Sequence, residues 1–250
     1  NGRTMQIIKY KYLKDGFYEV ILSDKTLVLH QDCITRNEIL LKKELSDAEI
    51  LKLEQEENYY KLKKEALDIL KKKVLTTKEL TDTLQKSTNN QTDLENLITD
   101  LTKQGYIDDD KYAALYIDNN MRIRNKGPLY LKEELLKKGV ALEFITKNLS
   151  IYTASIEEEK INKYVTKKMQ QNKNKSNYYL KEKLKSELQQ LGYHSDKIAS
   201  ILDNNNVDDR EIRAKEEARI RMKLAKKYNG KELEYKIKQK MYQKGFKINN

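Results

Sequence analysis

Three consecutive aspartates, Asp108, Asp109 and Asp110, are the residues of this sequence that most resemble a chemical site. Clustered carboxylates can bind a hard cation or act as general acids and bases. A metal site needs further ligands, yet the chain has only two histidines and no EF-hand spacing surrounds the aspartates. Gly105-Tyr106-Ile107 closes one helical segment, and Lys111-Tyr112-Ala113 opens the next. We therefore expect Asp108 or Asp109 to cap a helix and not to bind a metal.

Other catalytic patterns are missing from the sequence. It contains no G-x-x-x-x-G-K-[ST] loop, no G-x-S-x-G elbow, no H-E-x-x-H pair and no C-x-x-C. Cys33 is the single cysteine, so the chain can form no internal disulfide and a buried, inert thiol is the simplest interpretation. His30 lies in a strand-like alternating pattern that favours packing over acid–base chemistry. We expect a protein that is not an enzyme and needs no cofactor or metal.

The elements that position these residues fall into two classes. Residues 5–30 are rich in β-branched and aromatic side chains, and Asp15-Gly16 is a strong hairpin signal. They predict a small antiparallel β-module over residues 5–35, with residues 1–4 outside the fold as a vector-derived remnant. The rest of the chain is rich in Lys, Glu and Leu with a single proline, and is predicted to be mainly helical.

Helix starts are marked by a hydroxyl residue followed three positions later by Glu. In this capping box the two side chains satisfy free amides of the first helical turn. Asp208 with Glu211 is a looser version. The full boxes are Ser46 with Glu49, Thr76 with Glu79, Thr92 with Glu95, and Ser155 with Glu158.

A spacing also repeats at predicted helix ends. Two apolar residues four apart precede a glycine and a further apolar residue, as in Leu97, Leu101, Gly105 and Tyr106. The glycine can adopt the left-handed conformation that ends a helix, and the residue after it packs back. The same spacing recurs at Gly139, Gly192 and Gly245.

Units of this kind cannot bury their apolar faces alone and must stack on one another. We predict an elongated protein of tandem three-helix repeats, arranged as a right-handed or curved stack. The predicted borders are 36–106 for linker helices and a first repeat, 107–153 for the second, 154–206 for the third, and 207–250 for a partial fourth.

The net charge of +11 is concentrated in one part of the chain, since residues 151–250 hold 24 Lys and Arg against 14 Asp and Glu. Such an excess fits a polyanionic partner, although a solvated surface is an equally simple reading. A stripe at helical spacing predicts one basic face, with Ala218, Met222 and Ala225 turned inward beside it. Candidate contact residues are Arg122, Arg124, Lys126, Lys132, Lys137, Lys138 and, on the stripe, Lys215, Arg219, Lys223, Lys226 and Lys227.

Three segments together carry a family resemblance. ALDILKKKVLTTKEL at 66–80, GYIDDDKYAALYI at 105–117 and GPLYLKEELLKKGV at 127–140 closely resemble the RecX family, bacterial regulators of the RecA recombinase. The matching positions include Thr76 with Glu79 and Leu135 to Gly139. The family usually carries arginines where this chain has Lys71 to Lys73, which keeps the charge but removes bidentate contacts.

The resemblance implies a curved, elongated helical protein without catalytic chemistry, which binds RecA–single-stranded-DNA filaments and alters their growth, ATP hydrolysis and strand exchange. The single cysteine suits a reducing cytoplasm, and no run of apolar residues is long enough to span a membrane. We expect a cytoplasmic monomer. An alternative is a helical-repeat protein that binds DNA directly. Residues 210–227 contain no aromatic platform, so we expect direct DNA binding to be weak.

Elongation can be measured by small-angle scattering. A compact domain of this length has a radius of gyration of about 18 Å. Repeats that each carry one thin apolar stripe touch mainly their neighbours, so we expect a clearly larger radius. A value near that of the compact domain would contradict the stacked arrangement.

Overall fold

A computed structural model describes residues 2–172 and 175–247. They form two compact units, one of residues 1–112 with 138–140 and one of residues 113–137 with 141–250. The prediction of a mainly helical protein with a small N-terminal antiparallel sheet is confirmed. The repeat borders drawn from the sequence stay a prediction.

The strands and the first helices belong to the first unit. The strands are β1 (Thr4–Tyr12), β2 (Phe17–Leu22), β3 (Thr26–His30) and β4 (Glu44–Ser46). The helices that follow them, with a short 3-10 turn at Ile39–Leu41, are α1 (Gln31–Arg36), α2 (Asp47–Leu70), α3 (Thr77–Leu84) and α4 (Gln91–Lys103).

The remaining helices continue to the end of the described chain. They are α5 (Asp109–Ile123), α6 (Pro128–Lys137), α7 (Leu142–Leu149), α8 (Ala154–Gln171), α9 (Asn177–Gln190), α10 (Ser195–Asn204), α11 (Arg210–Leu224) and α12 (Gly230–Gln243).

The sheet has the order β3-β2-β1-β4 and is antiparallel throughout. Asp15 and Gly16 both have positive φ, as a two-residue hairpin turn requires. The sequence reading missed β4 and wrongly left residues 1–4 outside the fold. Thr4 pairs with Ser46 in the sheet, because the chain returns to this edge only after α1. A three-residue strand is too short to show a period of its own.

The sheet and the N-terminal half of α2 share one hydrophobic core. Val20 and Leu29 from the sheet are fully buried, as is Leu45 from β4, and Ile50 and Leu53 of α2 join the same cluster. The β-module is therefore packed on the long helix.

The two residues considered for chemistry in this region are packing residues. The His30 ring stacks on Tyr60, with centroids 4.8 Å apart, and meets Phe17 edge-on. Cys33 is buried, and burial raises the pKa of its thiol to about 12. The thiol therefore stays protonated and unreactive at neutral pH. Both agree with the sequence interpretation.

Each unit buries its helices through leucine and isoleucine stripes. In the first unit, α2, α3 and α4 enclose Ala66, Leu80, Leu84 and Leu97. In the second unit, α8, α9 and α10 bury residues of the same kind, and α11 packs on α12. The buried side chains of those last two helices are Ile220, Ile237 and Met241, together with Phe246 beyond them.

Two of the predicted capping boxes are confirmed. Ser46 with Glu49 begins α2, and Thr76 with Glu79 begins α3, each with both reciprocal bonds present. The box predicted at Thr92 is wrong, because Asn90 caps α4 and accepts from the Asp93 amide. Asparagine is as good a cap as a hydroxyl residue, and it comes first in the chain.

The two remaining cap predictions also need correction. The box predicted at Ser155 is wrong, because α8 begins after Thr153, whose side chain accepts from the Ile156 amide. Asp209, not Asp208, holds the N-cap position of α11, but its side chain makes no capping bond to that helix. Asp208 instead accepts from the Arg210 amide at 3.2 Å and pairs with the Arg210 guanidinium at 2.7 Å. The hydroxyl-to-Glu spacing alone fits several overlapping frames, so only the chain direction at each helix start decides between them.

The consecutive aspartates are divided between two helices. Asp108 accepts a hydrogen bond from the Lys111 amide at 2.9 Å and so caps α5, as predicted. Asp109 turns away and accepts from the Thr77 amide at 2.8 Å, in the first turn of α3. Asp109 therefore stabilises a helix start 32 residues earlier in the chain, a use that the local sequence could not reveal.

That contact is part of a junction in which the start of one helix meets the turn after another. Besides capping α3, the Thr76 hydroxyl donates to the Lys138 carbonyl at 2.7 Å, next to Gly139. The second unit repeats the arrangement, since Ser176 caps α9 and donates to the Gly245 carbonyl at 2.6 Å. The Asn177 amide donates to Asp209 at 2.7 Å, as the Thr77 amide does to Asp109.

A further junction in the second unit replaces the hydroxyl with backbone contacts. The Gly127 amide donates to the Leu191 carbonyl at 2.7 Å. A Cβ at Gly127 would lie 2.4 Å from the Gly192 carbonyl oxygen, and one at Gly192 would lie 2.4 Å from the Tyr130 Cβ. Gly192 also has φ +85°. Both glycines are therefore required by close backbone approach, and Gly192 by its conformation as well.

The four glycines with repeated spacing are not equivalent. Gly139, Gly192 and Gly245 follow α6, α9 and α12 and meet the start of another helix. Gly105 instead follows α4, and a Cβ there would meet nothing within 4 Å. The sequence spacing thus identified the left-handed helix ends correctly but grouped two kinds of turn.

The junction hydroxyl gives a test of stability. Thr76→Val keeps the shape but removes both the α3 cap and the bond to the Lys138 carbonyl, so we expect a loss of about 1–3 kcal/mol in chemical denaturation. Thr83→Val is the matched control, because Thr83 is exposed and bonds only within its own helix. Equal stability of the two variants would contradict a junction role for Thr76.

Candidate functional site

The first predicted basic cluster lies where α5 ends. Arg122 is exposed and pairs with Asp118 at 2.7 Å, so part of its charge is already neutralised. Arg124 is exposed in the connection to α6. Lys126 places its ammonium 4.0 Å from the centre of the Tyr130 ring, a cation–π contact. The Tyr152 hydroxyl holds this connection in place by donating to the Lys126 carbonyl at 3.1 Å.

The three lysines predicted on α6 and just beyond it differ in their surroundings. Lys132 is exposed. Lys137 is exposed but pairs with Glu133 at 2.9 Å. Lys138 is half-buried and pairs with Glu79 at 2.6 Å, in the first turn of α3. Of the three, Lys132 is the one whose charge is best placed for an external partner.

The Lys138–Glu79 pair belongs to the folded framework. The Glu79 carboxylate raises the pKa of Lys138 well above its usual range. Burial works to raise the pKa of Glu79, but the bonds from Lys138 and from the Thr76 amide outweigh it and hold that pKa below its ordinary value. Lys138 therefore supports the same junction as Thr76.

The second predicted cluster is the stripe on α11, and all five of its basic residues are exposed. The predicted helix is too long, because α11 ends at Leu224 and leaves Lys226 and Lys227 in the turn that follows it. Lys215 pairs with Glu211 at 2.5 Å, and Arg219 pairs with Glu216 at 2.7 Å. Among the described residues, no carboxylate forms an ion pair with the three members nearest the C-terminal end of the helix, which are Lys223, Lys226 and Lys227.

Ala218, Met222 and Ala225 were predicted to turn inward, and this is wrong. Met222 is 75% exposed, and both alanines are exposed as well. The buried side of α11 is formed by Ile220 with the partly buried Ile212 and Leu224, because those larger side chains fill the space beside α12. The basic stripe is consequently interleaved with small apolar side chains and one exposed methionine.

Sequence reasoning missed a set of tyrosines whose rings make cation–π contacts with lysines. Lys175 lies 6.0 Å from the centre of the Tyr179 ring, and Lys247 lies 5.2 Å from that of Tyr178. With Lys126 on Tyr130, these pairs stand at the starts of α6 and α9. The available signal was a lysine just before a helix start and a tyrosine four residues later, which lie on one face of a turn.

Within residues 2–172 and 175–247, no group of three or more His, Cys, Asp or Glu side chains could hold a metal ion. In the same part of the chain, no helix combines the length and apolarity that crossing a lipid bilayer requires.

Comparisons with known proteins agree on one family. A family model for RecX, second three-helix domain, matches residues 108–149, the region of α5 to α7. The regulatory protein RecX of Bacillus subtilis strain 168 is 28% identical over 236 residues, covering 92% of this chain and 89% of its own. That of Oceanobacillus iheyensis is 28% identical over 208 residues, covering 81% of this chain and 76% of its own.

Solved structures show the same fold. A crystal structure of a regulatory protein RecX has a TM-score of 0.68 at 23% identity and covers 80% of this chain and 99% of its own. RecX from Lactobacillus salivarius has a TM-score of 0.55 at 26% identity, covering 59% of this chain and 96% of its own.

Helices joined through capped junctions, with exposed basic residues at the end of α5, on α6 and on α11, define a helical protein with several exposed cationic patches. The chain is similar to regulatory proteins of the RecX family along most of its length.

The role of Lys138 can be tested separately from partner binding. Lys138→Met leaves Glu79 half-buried without its cation, so we expect a loss of about 1–2 kcal/mol at neutral pH. The difference from the wild type should shrink as the pH falls below the ordinary Glu pKa of 4.5, because a protonated Glu79 gains nothing from Lys138. Lys137→Met is the control and should leave the stability nearly unchanged, because Lys137 is exposed. A pH-independent difference would contradict the pairing.

Proposed function

We propose that this protein regulates homologous recombination and DNA repair by binding RecA–single-stranded-DNA filaments. On this proposal it inhibits filament assembly, ATP hydrolysis and strand exchange by occupying the filament, without catalysing a reaction. Its similarity to RecX proteins supports the proposal, since those relatives are named regulatory proteins. We place it in the cytoplasm, as a monomer.

The observation that carries the proposal is that the lysines at the C-terminal end of α11 and in the turn after it are exposed and unpaired among the described residues. Lys223, Lys226 and Lys227 are exposed, and no carboxylate of the described chain pairs with them. Many other basic residues are neutralised by neighbours, as Arg221 is by Glu217 and Glu234. Unpaired charge beside the exposed Met222 offers both steering and apolar contact to an acidic partner.

Direct action on DNA is the second candidate. Its support comes from the tyrosines at the starts of α6 and α9 that make cation–π contacts with lysines. These tyrosines lie outside residues 210–227, the segment without aromatic residues. A regulator of filaments needs affinity for RecA-coated strands above that for either component alone. The ratio of those affinities therefore distinguishes the two candidates.

Charge reversal on α11 tests the proposed surface. We expect Lys223→Glu/Lys226→Glu/Lys227→Glu to weaken co-sedimentation with RecA on single-stranded DNA at least tenfold at moderate salt. The dependence on salt should flatten as well, because fewer ions are released on binding. Inhibition of RecA ATP hydrolysis should weaken in parallel, and the unfolding midpoint should hardly change.

The matched control reverses three exposed lysines of the first unit that likewise form no ion pair with any described residue, namely Lys9, Lys43 and Lys86. It makes the same change in net charge and should keep nearly wild-type binding. Equal loss in both variants would reduce the effect to overall charge. Unchanged binding of the folded α11 variant would remove that helix from the contact surface.

A further inference from the structure

The starts of α6 and α9 share a surface feature that the framework of the fold does not require. In each, a lysine just before the helix places its ammonium over the ring of a tyrosine in the first turn. The pairs are Lys126 with Tyr130 at 4.0 Å and Lys175 with Tyr179 at 6.0 Å. The start of α3 has Leu75 and Glu79 at the same two positions, so the feature belongs to the second unit.

These tyrosines meet the junctions chiefly through their first side-chain atom, although the Cδ2 atom of the Tyr179 ring would also lie 3.3 Å from a Cβ at Gly245. A Cβ at Gly192 would contact the Tyr130 Cβ, and one at Gly245 would contact the Tyr179 Cβ. The rings extend beyond that contact, and the Tyr179 side chain is 42% exposed. An aromatic ring left half in solvent gains little from folding alone, whereas alanine would satisfy the junction equally well.

The α9 start carries the larger platform. Tyr178, the preceding residue, is 38% exposed, and Lys247 lies 5.2 Å from its ring centre. Two adjacent rings and two lysines therefore share this surface. Among the described residues, no carboxylate forms an ion pair with Lys126, Lys175 or Lys247. The nearby Glu216 is already neutralised by Arg219 and Lys244.

We infer that these lysine–tyrosine pairs bind single-stranded nucleic acid, with bases stacked on Tyr130, Tyr178 and Tyr179 and phosphates neutralised by Lys126, Lys175 and Lys247. Tyr178 and Tyr179 are exposed, and Tyr130 is half-buried. Aromatic rings at the surface beside unpaired cations are the combination that sequence-tolerant single-strand binding uses. An acidic protein surface would need the cations but not the rings. Duplex DNA hides the faces of its bases, so it fits this surface less well.

The inference rests on the proposed function in one respect, because a strand within a RecA filament is the ligand that would reach these rings in the cell. On this inference the protein binds both components of the filament, the RecA protein and the DNA strand. The basic stripe of α11 would meet the protein, and the lysine–tyrosine pairs would meet the strand.

The test uses the full chain without RecA. Binding of a fluorescein-labelled 30-mer of deoxythymidine is followed by anisotropy at low salt, beside a duplex of equal length. We expect Tyr178→Ala/Tyr179→Ala to weaken single-strand binding tenfold or more and Tyr130→Ala to weaken it at least threefold, while the helical circular dichroism stays unchanged. Alanine keeps the Cβ that each junction contacts, so folding is preserved.

Two controls separate stacking from general effects. Tyr178→Phe/Tyr179→Phe keeps the rings and should bind within twofold of the wild type. Tyr235→Ala/Tyr242→Ala removes two exposed tyrosines of α12 and should also bind within twofold. A 30-mer with 5-iododeoxyuridine should cross-link under ultraviolet light to Tyr130, Tyr178 or Tyr179. Cross-links confined to other residues would overturn the inference.

Two further results would overturn it: equal binding by the double alanine variant and the wild type, or tighter binding of the duplex than of the single strand. Absence of bare-strand binding by the wild type would also overturn it, yet would leave the proposed function intact if the protein still co-sediments with RecA filaments. Strand binding without any preference for RecA-coated DNA would instead sink the proposed function and keep the inference.

Discussion

The fold of this chain depends on a hydrogen bond between a capping side chain at the start of one helix and a backbone carbonyl in the turn that follows another. At the start of α3 the hydroxyl of Thr76 bonds the Lys138 carbonyl, and at the start of α9 Ser176 bonds that of Gly245. Helix starts expose unpaired amides and helix ends expose unpaired carbonyls, and burying either without a partner costs free energy. One small side chain satisfies both ends, so helices can meet end to turn without leaving polar groups unpaired.

This constraint explains where small and acidic residues are placed. Asp109 and Asp209 each accept from the backbone amide of the first residue of the opposing helix. Where the capping hydroxyl is missing, Gly127 and Gly192 allow the two backbones to touch. With the junctions closed by such short groups, the long side chains next to them are free for other uses. Lys138 reinforces its junction through Glu79, whereas Lys126 and Lys175 rest on tyrosine rings.

Charge in this molecule is divided in the same way between framework and surface. Ion pairs such as Lys138 with Glu79 and Arg221 with Glu234 join separate helices, and each removes a cation from the available surface. The cations without an ion pair among the described residues include those at the end of α11 and at the starts of α6 and α9. A count of basic residues therefore overestimates the binding surface, and the arrangement of carboxylates decides which cations are available.

The sequence by itself determined the helical class, the N-terminal hairpin, the caps at Ser46, Thr76 and Asp108, and the resemblance to RecX proteins, because each of these depends on residues close together in the chain. It could not determine the partner of Asp109, the orientation of Met222 or the strand β4, because those depend on residues brought together from distant positions. It likewise gave Lys138 and Lys223 the same standing as surface cations. Only the tertiary structure placed Glu79 beside the first and no carboxylate of the described chain beside the second, and an ion pair needs two charges within a few ångströms whatever their separation in sequence.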